Sequence, residues 1–234
     1  MTSAFAGVQV PNPAFEPSIE PQVEYAIDAI FNTLPKLEKI SADQRRGIIT
    51  RYTAVLEGNF IYWMTGAFLA VKSDAAREII LENLHEEVRD CHPGMLRRFA
   101  VAARALPTDQ DAMAVSEELS KVRLFIGRLS GVPTIIMMAF FEGFIQRFMA
   151  YLAELAAGQG SVEREYTDVH GVCDVAHTAG LFRALEAEMA LSPVAAGTNL
   201  LEGVDLLSAL IRRIINGPAE AGFGMRSTAE ALPV

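Results

Sequence analysis

Residues 135–149 read IIMMAFFEGFIQRFM, and this stretch decides the fold. Its apolar residues are too dense to form one stripe, so a helix built from them is apolar on nearly every side. Such a helix lies at the centre of a bundle and is wrapped by the others. The longer apolar run 132–148 is interrupted by Glu142, Gln146 and Arg147, so we do not expect it to span a membrane.

Helical periodicity continues on both sides of this central stretch. It predicts helices at residues 23–37, 42–70, 74–104, 110–128, 132–158, 161–190 and 194–215. Boundary signals agree: the N-caps Ser41 and Ser73, the first-turn prolines Pro133 and Pro193, and the stop residues Gly158 and Gly217. No alternating run is long enough for a strand. The sequence therefore predicts an all-α, single-domain bundle of about seven helices over residues 23–216.

The two ends of the chain have a different composition. Residues 1–22 contain Pro11, Pro13, Pro17 and Pro21 among small and polar residues, which predicts an extended arm. Residues 217–234 follow Asn216 and are rich in small residues, which predicts a flexible tail.

Composition excludes several classes of function. The chain has 234 residues, 51% of them hydrophobic, and a net charge of -9, so it can bury a large core and its surface repels nucleic acid. No basic segment followed by an apolar one begins the sequence, and we expect a cytoplasmic protein without a membrane partner. The high apolar content favours a homodimer.

The only two cysteines, Cys91 and Cys173, both lie inside helical patterns. Neither has a second cysteine at zinc-finger spacing, so thiolate chemistry is not implied. We expect both thiols to be reduced and buried.

Half of the four histidines stand in one short run, HGVCDVAH at residues 170–177. On a helix, His170, Asp174 and His177 fall on one narrow stripe, which is the outline of a metal site. The alternative is an exposed polar face with one hydrogen bond between neighbouring turns. Burial is favoured because the flanking residues are small and apolar: Val169, Val172, Cys173, Val175, Ala176 and Ala179.

The other two histidines lie in a carboxylate-rich run, ENLHEEVRDCH at residues 82–92. If the stripe formed by Leu84, Val88, Cys91 and Met95 faces the core, Glu87 and His92 flank it at roughly 70° on either side and Glu86 points away. Glu87 is therefore preferred to Glu86 as a ligand. His85 is left as a direct ligand, a support for another ligand, or a partly exposed helical residue.

Two further carboxylates lie in strongly apolar helices. Glu142 interrupts the central stretch, and an unpaired buried carboxylate is costly, so it either binds metal or pairs with Arg147 or Arg183. Glu57 is either another ligand or a hydrogen-bonded core carboxylate. A mixed set of imidazoles and carboxylates suits iron or manganese, and bridging carboxylates suit two ions.

In their order along the chain, these residues resemble the haem-oxygenase-like di-metal oxidases and oxygenases, a helical superfamily that carries two irons in place of haem. The resemblance covers residues 45–190 and implies six ligands, with Glu142 or Glu87 bridging the irons: Glu87, His92, Glu142, His170, Asp174 and His177. Glu57 matches a position at which some N-oxygenating members place an additional ligand. The sequence departs from the family in having four residues between Glu87 and His92, and in placing His85 inside the motif.

The resemblance implies an enzyme with two Fe(II) ions and O2 as co-substrate. It would act on a small amino acid or amine by N-oxygenation, desaturation or C–C cleavage in a biosynthetic pathway. Candidate substrate contacts are an aromatic wall of Tyr62, Trp63 and Phe141 and a carboxylate clamp at Arg147, each of which is alternatively ordinary packing or surface charge. Two other functions stay open: a metal-free enzyme resembling thiaminases or quinone-cofactor synthases, and a ferritin-like iron-binding protein.

Overall fold

The structure is a computed structural model that describes residues 18–191 and 194–218. These ranges hold no strand, only a 3-10 turn at Leu37–Lys39 and eight helices: α1 Ile19–Phe31, α2 Ala42–Ala70, α3 Asp74–Arg89, α4 His92–Ala102, α5 Asp109–Ile126, α6 Gly131–Ala157, α7 Glu165–Leu191 and α8 Glu202–Asn216. The predicted all-α class is confirmed.

The predicted arm and tail are mostly outside the part of the chain that the structure describes. Most of the predicted arm, residues 1–17, and most of the predicted tail, residues 219–234, lie outside the described residues, as does Pro193. Three helices begin four or more residues from the predicted position: α1 at Ile19 instead of 23, α7 at Glu165 instead of 161, and α8 at Glu202 instead of 194.

Helix α6 is the centre of the bundle, as the density of its apolar residues predicted. Every residue from 132 to 145 is buried, and α6 packs most extensively on α7, with further contacts to α1, α2, α4 and α8. By length and composition alone α6 could cross a membrane, but 78% of its most apolar window is buried within the protein. That burial is the arrangement of a core helix.

The predicted helix boundaries at capping residues are confirmed. The Ser41 side chain accepts a hydrogen bond from the Gln44 backbone N–H while the Gln44 side chain accepts one from the Ser41 N–H. Ser73 accepts from the N–H of Ala76 at the start of α3. Gly158 and Gly217 follow the last residues of α6 and α8.

The prediction of one continuous helix over 74–104 is wrong. Helix α3 ends at Arg89, Cys91 adopts the left-handed conformation at φ 55° and ψ 47°, and α4 begins at His92 with Pro93 in its first turn. Inside an uninterrupted helix, Pro93 would lack the N–H of the helical hydrogen bond and its ring would clash with the Arg89 carbonyl. The break gives His92 a helix and a direction of its own.

The expectation that both cysteines are buried is wrong for Cys91 and only partly met by Cys173. Both thiols are free; Cys91 is exposed, because it lies in the connection between α3 and α4, and Cys173 is half-buried on α7.

Candidate metal centre

Three helices bring together the group that we name the Glu87 triad: Glu87 of α3, His92 of α4 and His170 of α7. Glu87 Oε1 lies 2.7 Å from His92 Nδ1 and 3.8 Å from His170 Nε2, and all three side chains are buried. On a straight helix, Glu87 and His92 would point roughly 140° apart. The break at Cys91 is what allows both to face one point.

The buried face of α3 differs from the predicted one. It consists of Ala76, Ile80, Asn83 and Glu87, spaced by one helical turn. The predicted stripe is wrong: Val88 and Cys91 are exposed, and Leu84 and Met95 only half-buried. Apolar residues alone misplace the stripe because the true inner face carries an amide and a carboxylate. His85 lies on the exposed side of α3, so the structure does not bring it to the triad.

A second group, the Asp174 triad, consists of Glu142 of α6 with Asp174 and His177 of α7. His177 Nδ1 lies 3.5 Å from Asp174 Oδ1 and 3.8 Å from Glu142 Oε1. All three residues are buried, yet Glu142 Oε1, Asp174 Oδ2 and His177 Nδ1 have no hydrogen-bond partner among the described residues. Buried polar atoms are nearly always paired, so three unpaired atoms in one group suit a bound cation.

The sequence pattern placed Glu86 on the side of α3 that points away from the site, but in the structure Glu86 contacts the Asp174 triad. Its carboxylate, 32% exposed, accepts a hydrogen bond from His177 Nε2 at 2.9 Å. A carboxylate on the outer nitrogen fixes the ring orientation and the tautomer of a metal-binding histidine. The two carboxylates therefore have different roles: Glu87 belongs to the Glu87 triad, and Glu86 orients His177 of the Asp174 triad.

Helix α7 supplies His170 to one triad and Asp174 and His177 to the other. These three residues lie on its buried face, as their spacing predicted. The expectation that their apolar neighbours are buried is wrong, since Val172 is 75% and Val175 57% exposed. Helix α7 packs mainly on α6 and α3 and more lightly on α4, so its opposite side is exposed.

The aromatic surroundings of His170 fix its orientation. Its Nδ1 lies 2.8 Å from the Tyr166 carbonyl oxygen, so the N–H donates there and Nε2 is left facing Glu87. The Tyr166 ring lies 4.3 Å from the imidazole, and its hydroxyl is 2.9 Å from that of Tyr52. The sequence pattern did not identify Tyr166 as part of the site. Its position one helical turn before His170 is the signal that could have identified it.

Burial and neighbouring carboxylates shift the proton affinities of the Asp174 triad. Burial, reinforced by the Asp174 charge, raises the pKa of Glu142 to about 8. Burial lowers the pKa of His177, but the neighbouring carboxylates of Asp174, Glu142 and Glu86 outweigh it and raise that pKa to about 11. Without a metal, both groups therefore hold their proton at neutral pH.

The histidines of the Glu87 triad shift in opposite directions. Burial alone would lower the pKa of His92, but the hydrogen bond between His92 and Glu87 outweighs burial and raises that pKa. Burial lowers the pKa of His170. A neutral His170 has a free lone pair on Nε2, which is the form that binds a metal.

A small cavity adjoins both triads. About 20 Å³ of it is open to the centre of a water molecule, which is room for roughly one water. Besides members of the triads and Tyr166, its lining is mostly apolar: Leu56, Phe60, Pro93, Leu96 and Ile145. In this conformation of the protein, the cavity beside the two triads is therefore too small to hold an amino acid.

None of the four described residues proposed as substrate contacts lines this cavity. Tyr62 is exposed on α2, and Trp63 packs against Phe141 with ring centroids 5.2 Å apart. Arg147 pairs with Asp28 at 2.7 Å and lies over the Phe31 ring on the outer side of α6. As a substrate clamp Arg147 is misplaced, because it faces α1.

Glu57 is also separate from both triads. It is half-buried on α2 and lies 3.4 Å from the Arg97 guanidinium of α4. A partly exposed ion pair satisfies this carboxylate without a metal, so the structure gives Glu57 a packing role between two helices.

The donor set of the two triads could hold metal ions. Three imidazoles and three carboxylates form a mixed nitrogen and oxygen set, which is typical of iron or manganese. The Glu87 triad has two of the imidazoles, and the Asp174 triad has two of the carboxylates. No protein-family model, curated protein or solved structure matches the chain. The resemblance to the haem-oxygenase-like superfamily therefore stays a prediction.

Proposed function

We propose that this chain is a non-haem di-iron protein that uses O2 to oxidise a small amino acid or amine. The observation that supports the proposal is the pair of buried triads, each with three donors and together drawn from four helices. The Glu87 triad would hold one ion and the Asp174 triad the other. Two ferrous ions would supply part of the electrons for the reduction of O2, and the oxidised substrate would supply the rest.

The protein's own residues would position the ions and keep water out. The Tyr166 carbonyl and the Glu86 carboxylate orient His170 and His177 from outside the two triads. The apolar side chains of Phe60, Leu96 and Ile145 limit access to the cavity. A substrate would reach the triads only if this lining moves.

Anaerobic loading with Fe(II) tests the metal proposal. We expect about two irons per chain, and a loss of bound iron in His177→Ala. His85→Ala is the matched control, because His85 is an exposed histidine of the same chain and should leave the iron content unchanged. Iron below about one per chain in the parent protein, unchanged in His177→Ala, would contradict the di-iron proposal.

Mixing the iron-loaded protein with O2 in the presence of amino acids and amines tests the reaction. An oxidase or oxygenase consumes O2 faster with one of these substrates. The ferritin-like alternative is favoured by the small cavity, and it predicts iron oxidation whose rate no organic substrate changes. An organic reaction that persists after chelation would indicate the metal-free alternative.

A further inference from the structure

Cys173 lies directly beside the Asp174 triad. Its Sγ is 3.2 Å from Asp174 Oδ1, and the donor atoms of Cys173, Asp174 and His177 all lie within 4.8 Å of one another. The sequence pattern gave this thiol no role, because no second cysteine is spaced for a zinc-finger site. The fold supplies different partners: a carboxylate and an imidazole of the same helix.

The spacing of these atoms matches that of ligands around one ion. With metal–sulfur bonds of about 2.3 Å and metal–nitrogen or metal–oxygen bonds of about 2.0–2.1 Å, neighbouring donors lie roughly 3.0–3.6 Å apart. The Sγ–Oδ1 distance is 3.2 Å, and Asp174 Oδ1 lies 3.5 Å from His177 Nδ1. Glu142 Oε1 lies 3.8 Å from the same nitrogen, slightly beyond this range.

A second observation points to a cation at this place. His177 Nδ1 and Asp174 Oδ2 are buried and have no hydrogen-bond partner among the described residues. Cys91 is adjacent to His92 in the chain, but its thiol is exposed and belongs to no group of donor atoms, whereas the Cys173 thiol does.

We propose that Cys173 is a fourth donor to the metal held by the Asp174 triad. The inference rests on the proposed function, in that this triad holds a metal. When the metal–sulfur bond forms, the thiol proton leaves to solvent, and no electron is transferred. The two metal positions then differ in kind: nitrogen and oxygen donors at the Glu87 triad, and an added thiolate at the Asp174 triad, which takes a borderline-soft divalent ion such as Fe²⁺, Co²⁺ or Zn²⁺.

Anaerobic titration of the full chain with Co²⁺ alone tests the inference. Cobalt bound to nitrogen and oxygen gives visible ligand-field bands, and a thiolate ligand adds a near-ultraviolet charge-transfer band. We expect both in the parent protein, with the charge-transfer band lost in Cys173→Ser. Cys91→Ser is the matched control and should keep the band, because the Cys91 thiol is exposed and belongs to no group of donor atoms.

The parent spectrum decides the matter even if Cys173→Ser does not fold. Ligand-field bands without a charge-transfer band would overturn the thiolate inference and leave the metal proposal standing. A band that persists in Cys173→Ser and disappears in Cys91→Ser would overturn it as well. If the parent protein binds no cobalt and no iron, the metal proposal fails together with the inference.

Discussion

Glu142→Gln separates a metal ligand from a structural carboxylate. With a pKa of about 8, Glu142 is roughly nine-tenths protonated at pH 7 in the metal-free protein. Glutamine is the neutral isostere of that form, and Glu142 Oε1 has no hydrogen-bond partner to lose among the described residues. We therefore expect the substitution to change the metal-free free energy of unfolding by less than about 1 kcal/mol.

The metal-bound protein should respond very differently. An ion at 100 times its Kd stabilises a fold by about 2.7 kcal/mol, which for a chain of this size is about 5–11 °C in Tm. If the loss of Glu142 weakens binding 100-fold, the same ion concentration stabilises by only about 0.4 kcal/mol. The part of the Tm shift that comes from the Asp174 triad then falls to about 1 °C, while an ion at the Glu87 triad keeps its own contribution.

Thermal unfolding with and without Fe²⁺ or Co²⁺ measures both effects. Glu188→Gln is the matched control, because Glu188 is also buried but accepts hydrogen bonds from the backbone N–H groups of Lys72 and Ser73. That variant should lose about 1–3 kcal/mol without metal and keep the full metal shift. A Glu142→Gln protein that keeps the shift, or is less stable than Glu188→Gln without metal, would refute the reasoning.

Three further predictions concern stability. The folded-state pKa values of Glu142 and His177 lie above their ordinary values of 4.5 and 6.5, so their stabilisation is complete below those values and is lost as pH rises through about 8 and about 11. The metal-free Tm should be higher at about pH 6 than at about pH 9, and a flat profile would contradict these shifts. Cys91→Gly should raise the Tm by about 2–4 °C, because a cysteine in the left-handed conformation costs about 1 kcal/mol that a glycine does not. A lower Tm would mean that the Cys91 side chain stabilises the turn. Gly131→Ala should lower the Tm, because a Cβ there would lie 2.8 Å from Glu188 Oε1; an unchanged Tm would show that this carboxylate can move.

The central helix and the stripe on α7 could be predicted because each depends on a single segment. The density of apolar residues at 135–149, interrupted by Glu142, Gln146 and Arg147, favours a buried helix without reference to its neighbours. The spacing of His170, Asp174 and His177 places them on one face by helical geometry alone.

The other half of the site depends on how helices pack, which one segment does not encode. The direction of His92 depends on the break before Pro93, and Pro93-Gly94 was the signal for it. Glu86 and Glu87 could not be assigned from α3 alone, because their roles depend on where α7 and α4 approach it. The substrate contacts were proposed from residue type, and type does not say which side of a helix faces the cavity.

The exposure of Glu86 bears on how the ions would enter and leave. Its carboxylate is 32% exposed and contacts His177 directly, so a partly exposed polar side chain links the Asp174 triad to the surface. The Glu87 triad has no comparable polar contact to the surface among the described residues, and it adjoins the apolar lining of the cavity. Rotation of Glu86 would open a short hydrophilic route to one position only. The two ions would then exchange at different rates, and purification in the presence of a chelator would yield chains that retain the slower one.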